Sequence, residues 1–296
     1  MIPRRGASGP FDPTQPLVAT GNLRLRHLVS RLTQSTAVAA AVAAVAVLVI
    51  VIIAIVSHGA KAINWDFITK GSPEGVGPDI VGTAIIVAVA TAMAAPIGVL
   101  VSLFLTEFAG RRGARPVQLV LDVMNGMPSI IIGLFVYGLL VAGHQQSAFA
   151  ASVALAIIEV PLIARGTQEV LNLVPRSQRE AADALGVARW RSLLTIVLPA
   201  ALGGIVTSTL LSVARAAGET APLLLTTSLG EDKTFQLDPF GKLPSVPVRI
   251  FQLSEEQNPE GFTKAWGLSL ILIAIILVLA LGSRYLLNRS KRKLTR

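Results

Sequence analysis

Two charges sit in an apolar stretch where charge is expensive. They are Arg215 and Glu219, within SVARAAGETAPLLLT at residues 212–226. Four residues apart, they share one face of a helix and can form an ion pair. A charged side chain at membrane depth costs ~2.5–3.5 kcal/mol on insertion scales, so neither is expected to face lipid. Two roles fit such a pair: locking two helices together, or lining a path for a solute. Gly218, Thr220 and Pro222 beside Glu219 loosen the helix and free backbone groups to face a cavity. Glu159, just before Pro161, is another deep charge, suited to the path or to an interhelical hydrogen bond. Arg215, Glu219, Thr220 and Glu159 are therefore the candidate pathway residues. Asp122 lies about one turn in from a span end and reads as interfacial.

Other chemistries lack their residues. There is no cysteine, which excludes disulfides and thiolate metal sites, and His27, His58 and His144 are scattered near segment ends. No catalytic set and no metal site is expected. No GxxxxGK[ST] loop occurs, so an ATPase of that type is absent from this sequence.

The elements that position these charges must be membrane helices. The 296 residues are 52% hydrophobic and 15% charged, with mean hydropathy +0.65, too apolar for an ordinary soluble domain. A span needs ~20 apolar helical residues to cross ~30 Å of hydrocarbon. Six candidates qualify: 37–56, 80–105, 117–142, 147–164, 199–227 and 265–287. The fourth is the weakest by length and carries Glu159 and Pro161. A polar N-terminal tail, 1–36, precedes them; its Pro-rich first half reads as flexible. Residues 80–287 form a five-helix core with loops at 165–198 and 228–264, and 288–296 is a basic tail. The 228–264 loop mixes apolar residues with six acids and is expected to pack on the bundle.

Lys and Arg distribution orients this topology. With the N-terminus in the cytoplasm, nineteen fall on inside segments and six on outside loops, and Arg215 lies within a span. That asymmetry predicts both termini inside. The net charge of +9 then reflects cytoplasmic loops rather than nucleic-acid binding.

One cytoplasmic loop stands out: SQREAADALGVARWRSLLTIVLP, residues 177–199. Ser177 and Glu180 fit a capping box, Pro175 stops any incoming helix, and Gly186 suits a left-handed helix end. Ala181, Ala182, Ala184 and Leu185 form a small-residue face, and a second helix resumes near Arg189. By pattern alone, the loop is either a rigid docking element or an interfacial segment anchored by Trp190 and its arginines.

Here the sequence resembles a family. Glu180-Ala181-Ala182, three residues, Gly186, nine residues, then Ile196-Val197-Leu198-Pro199 matches EAA–x3–G–x9–I–x–LP. That is the cytoplasmic signature of bacterial ABC-importer permeases. SVARAAGETAPLLLT, GMPSIIIGLF at 126–135 and AWGLSL at 265–270 resemble its phosphate-transport (PstA-like) branch, over about Val81 to Leu287. The resemblance implies an all-α membrane protein of six transmembrane helices, with the type I ABC importer permease fold, in the bacterial inner membrane. It implies that the loop docks on an ATPase, through Glu180, Ala181, Ala182, Asp183, Leu185, Gly186 and Arg189. It also implies a homologous second permease as heterodimer partner, two copies of a cytoplasmic ATPase that binds the ATP, and an extracytoplasmic phosphate-binding protein. The chain itself then needs no cofactor.

Arg offers a planar fork of donors suited to phosphate oxygens. Glu219 can accept from the protonated oxygen of hydrogen phosphate and repel fully deprotonated sulfate. Other expectations are a permease for sulfate or molybdate, an ATPase-independent channel or carrier, and a membrane-anchored signalling partner that uses the loop only for docking.

Overall fold

The computed structural model describes residues 23–227, 235–256 and 258–294. It is built from helices, with no strand among the described residues. In order they are α1 (Leu23–Gly59), α2 (Trp65–Thr69), α3 (Gly77–Leu103), α4 (Arg111–Gly126), α5 (Ser129–Val136) and α6 (Ala148–Asn172). Then come α7 (Arg176–Ala184), α8 (Arg189–Ser192), α9 (Leu198–Ala216), α10 (Ala221–Thr226), α11 (Val246–Glu255) and α12 (Pro259–Leu294). Single π-helical turns, Phe104–Phe108 and Tyr137–Val141, extend α3 and α5, and a third, Leu193–Val197, leads into α9.

Residues up to Ala54 form one compact unit and Ile55–Arg296 a second. In the first, α1 begins at Leu23, ahead of the apolar run that starts at Ala37. Polar residues tolerate this because Thr33, Ser35 and Thr36 donate their hydroxyls to the carbonyls of Val29, Arg31 and Leu32, one turn back. The flexible stretch expected in the first half of the tail falls within residues 1–22, outside the described residues.

Among the described residues, five helices are long and apolar enough to cross a membrane, or up to six if the bent pair α4–α5 is one span. That pair corrects the third expected span, 117–142, which is not one rod. α4 and α5 meet at 98°. The cause is Pro128, which holds Met127 extended (φ −74°, ψ 130°) and so ends α4.

The fourth expected span is also redrawn. α6 runs on past Ala164 to Asn172 and is the most enclosed of the apolar helices. Hydropathy alone ends the span where Arg165, Gln168 and Glu169 begin, yet Thr167 and Leu171 keep the helical spacing and are fully buried. Leu155, Ile158 and Ile163 of α6 pack with Ile86, Ala90 and Ala94 of α3, Ile132 of α5 and Leu223 of α10. Ser152 ties the two long helices directly, donating its hydroxyl to the Ile86 carbonyl at 3.0 Å.

Of the described residues between α10 and α12, those of α11 pack on the bundle, as expected for the loop. Val246, Val248 and Leu253 of α11 are buried. The Val246 amide donates to Thr83 Oγ1 at 2.8 Å, and Arg249 Nη2 donates to Ser72 Oγ at 3.3 Å. Val246 and Leu253 join Phe67, Val76 and Leu268 in a cluster shared by α2, α11 and α12.

Candidate functional site

Two regions collect the candidate residues. The first is the connection from α6 to α9. α7 starts at Arg176, with Pro175 as its cap and no side-chain capping bond. The expected capping box is therefore not formed. Proline's preset φ turns the chain one residue early, and the Gln178 amide already bonds the Pro175 carbonyl at 3.2 Å. Ser177 is left inside the first turn.

The end of α7 is as expected. Gly186 adopts φ +68°, where a side chain would strain the backbone. Its amide donates to Asp183 O at 3.0 Å, and the Val187 amide donates to Ala182 O at 3.0 Å. This is a Schellman motif, satisfying the last carbonyls of the helix without help from elsewhere. The alanine face is split, however. Ala182 is buried against the bundle, whereas Glu180, Ala181, Asp183, Ala184 and Leu185 are exposed, Leu185 at 83%. Arg189 and Trp190, on α8, are also exposed. From Arg189 the helical path continues through the π turn into α9, as one stretch to Ala216.

The second region is where α9 breaks. α9 stops at Ala216, and α10 restarts at Ala221 with Pro222 in its first turn. The turn closes with the Gly218 amide on Arg215 O at 3.0 Å and the Glu219 amide on Ala216 O at 3.1 Å. Arg215 and Glu219 do meet, Nε to Oε1 at 3.8 Å, but across this break and not along a continuous helix. At that distance the contact is an ion pair rather than a hydrogen bond. Arg215 keeps 64% of its side chain exposed and Glu219 17%. Thr220 is half-buried beside them.

The break in α9 packs against the segment following the other break. A Cβ added to Gly133 of α5 would lie 2.6 Å from Pro222 Cα. α5 and α10, each the shorter arm of a broken helix, are thus in backbone contact, and only glycine permits it. Glu159 bonds to a different helix. It is fully buried in α6 and accepts from Thr91 Oγ1 of α3 at 3.0 and 3.3 Å.

Residues 74–296 match the model of the binding-protein-dependent transport system inner membrane component family. The chain belongs to that family. This permease is 39% identical over 226 residues to the phosphate transport system permease protein PstA 1 of Mycobacterium tuberculosis strain H37Rv, covering 74% of this chain and 72% of the relative. It is 36% identical over 220 residues to the phosphate transport system permease protein PstA of Yersinia pestis, covering 73% and 74%. Its fold is that of type I ABC importer permeases. A crystal structure of a bacterial alginate ABC transporter aligns over 90% of this chain and 98% of that one, with a TM-score of 0.65 at 15% identity.

The structure of the permease also pairs charges that the sequence left apart. Arg165 of α6 forms an ion pair with Asp122 of α4. Arg179 of α7 pairs with Glu107 at the end of the α3 π turn, Nη2 to Oε1 at 2.8 Å. Both join residues distant in sequence, 43 and 72 positions apart, which no local periodicity reveals. The available signal is only that acids and arginines accumulate at helix ends.

Proposed function

We propose that this chain is the membrane permease subunit of an ATP-driven inorganic phosphate importer and forms half of its translocation pathway. The observation that carries the proposal is the complete EAA spacing on a self-capped helix whose outer face is uncovered, in a chain similar to phosphate transport permeases. Leu185 and Trp190, exposed at 83% and 58%, suit burial under a partner. Glu180, Ala181, Ala182, Asp183, Gly186 and Arg189 complete this coupling element: Ala182 seats it, Gly186 ends it and the others face outward. The partners are a homologous second permease, two copies of a cytoplasmic ATPase and an extracytoplasmic phosphate-binding protein. Both termini lie in the cytoplasm, and no metal or cofactor is needed in this subunit.

Substrate passes between the two permeases, along the surface that carries Arg215, Glu219 and Thr220. The guanidinium donates to phosphate oxygens, and Glu219 accepts a hydrogen bond from the protonated oxygen of hydrogen phosphate. The bond from Thr91 favours the interhelical role for Glu159. Phosphate uptake into vesicles, with and without the ATPase, tests the main reading; uptake indifferent to the ATPase overturns it. The variant Glu219→Gln should admit sulfate, and unchanged phosphate-over-sulfate selectivity overturns the role of that carboxylate. Uptake of sulfate or molybdate in preference to phosphate by the parent protein would reassign the substrate.

A further inference from the structure

We propose that the Arg179–Glu107 pair is the linkage through which movement of the coupling element enters α3. The inference rests on the proposed importer function and identifies the residues that would couple it. Among the nine residues of α7, Ala182 is the one that is buried, and Arg179 is partly covered. Besides the backbone at its two ends, a load on the outer face of α7 therefore has two side-chain routes into the bundle, a methyl group and a guanidinium.

The guanidinium makes three bonds. Nη1 donates to Val174 O at 3.0 Å, and Nη2 donates to Leu171 O at 2.9 Å and to Glu107 Oε1 at 2.8 Å. The two carbonyls belong to the C-terminal end of α6 and the turn after it, where Leu171 O also accepts from the Val174 amide at 3.2 Å, so Arg179 reinforces a helix end that the backbone has begun to close. The carboxylate belongs to the π turn that continues α3, and its side chain is only 17% exposed. One side chain thus fastens α7 to the ends of two long helices. A charge-assisted bond of this length is short and directional, suited to transmit displacement.

The surroundings argue against an incidental surface pair. A cavity of about 240 Å³ borders it, lined by Thr106, Glu107, Arg179, Asp183, Arg189 and Leu193 among others. Helices α7 and α8 therefore do not sit solidly on the end of α3. The ion pair bridges a gap that apolar packing leaves open. Beneath it, Leu171, Val174, Leu193 and Val197 pack together and hold α6 to the start of α9, with Leu103 and the partly buried Val99 contributed by α3. Arg179 and Glu107 are positioning residues: they touch neither ATP nor phosphate.

The test uses the complete importer in vesicles, reading ATP hydrolysis and phosphate uptake in parallel. Glu107→Gln and Arg179→Lys should each keep ATP hydrolysis while phosphate moved per ATP falls about tenfold, the loss expected for a charge-assisted bond. The sequence contains no cysteine, so the double variant Glu107→Cys with Arg179→Cys can be joined by a short bis-methanethiosulfonate linker, each thiolate displacing methanesulfinate to form a reducible disulfide. Linking should restore phosphate moved per ATP and reduction should abolish it again, with the parent permease treated identically as control. Parent-like stoichiometry in Glu107→Gln, or a linked double variant no better than its reduced form, overturns the linkage. A single variant too unstable to assemble is decided by the linker comparison. Failure of the importer reading is seen separately, as parental uptake that ignores the ATPase.

Discussion

The α7 element and the broken-helix region are organised by opposite means. α7 is closed by its own backbone: Gly186 and Val187 bond carbonyls within the helix they end. The break after Ala216 has local turn bonds too, but its placement depends on a distant partner, Gly133 of α5 against Pro222. Under the proposed function, the element that docks and is pushed keeps its shape without neighbours, and the one that lines the path takes its shape from the helices around it. Substitutions should therefore separate the two regions: packing changes at the break should unfold or rearrange the protein, and cap changes in α7 should spare stability and impair coupling.

The largest effect is expected at Gly133. Valine there puts a Cβ 2.6 Å from the Pro222 Cα, a backbone atom that cannot swing aside. Overpacking of this kind costs up to ~3 kcal/mol. Gly133→Val should lower the thermal unfolding midpoint in detergent and abolish phosphate uptake. Alanine places its Cβ at the same point, so Gly133→Ala should give much of the loss. Parental unfolding in both variants would mean that the two breaks do not depend on one another.

The same contrast explains what was legible in the sequence. The EAA spacing, the left-handed Gly186 and the resumption of helix at Arg189 are local, each decided within a few residues, and all can be read from the sequence. So are the helix breakers, Pro128 and Pro222. Their consequence is not: proline says that a helix ends, and the 98° turn and the meeting of α5 with α10 come from packing. The capping box failed because Pro175 competes with Ser177 for the same turn and acts first along the chain. The length of α6 was missed because hydropathy averages over a helix whose faces differ. The bonds of Arg179, Arg165 and Thr91 cross between elements, and a single sequence carries no record of them.

A middle-sized effect is expected at Gly186. Its φ of +68° costs a residue with a Cβ ~1–2 kcal/mol, but nothing lies within 4 Å of the added carbon. The strain is therefore backbone strain alone, and α7 can relieve it by fraying its last turn. Gly186→Ala should leave the unfolding midpoint nearly unchanged while ATP-driven uptake falls several-fold, with the importer still assembled on co-purification. An equal fall in stability and uptake would erase the distinction between a self-closed element and a packed one.

The smallest effect is expected at the Asp122–Arg165 pair, where the two regions' rules can be compared within one contact. The side chains are 60% and 37% exposed, and exposed ion pairs contribute ~0–1 kcal/mol. Beside them, Leu121 of α4 is 3% exposed and packs with Leu105 and Ala164. If packing holds α4 on α6, Asp122→Asn should shift the unfolding midpoint hardly at all, while Leu121→Ala should cost ~2–5 kcal/mol. The reverse order would make the ion pair, not the leucine, the attachment of α4. That outcome would extend to α4 the charge-linked attachment proposed for α7, and would remove α4 from the set of elements placed by apolar contact.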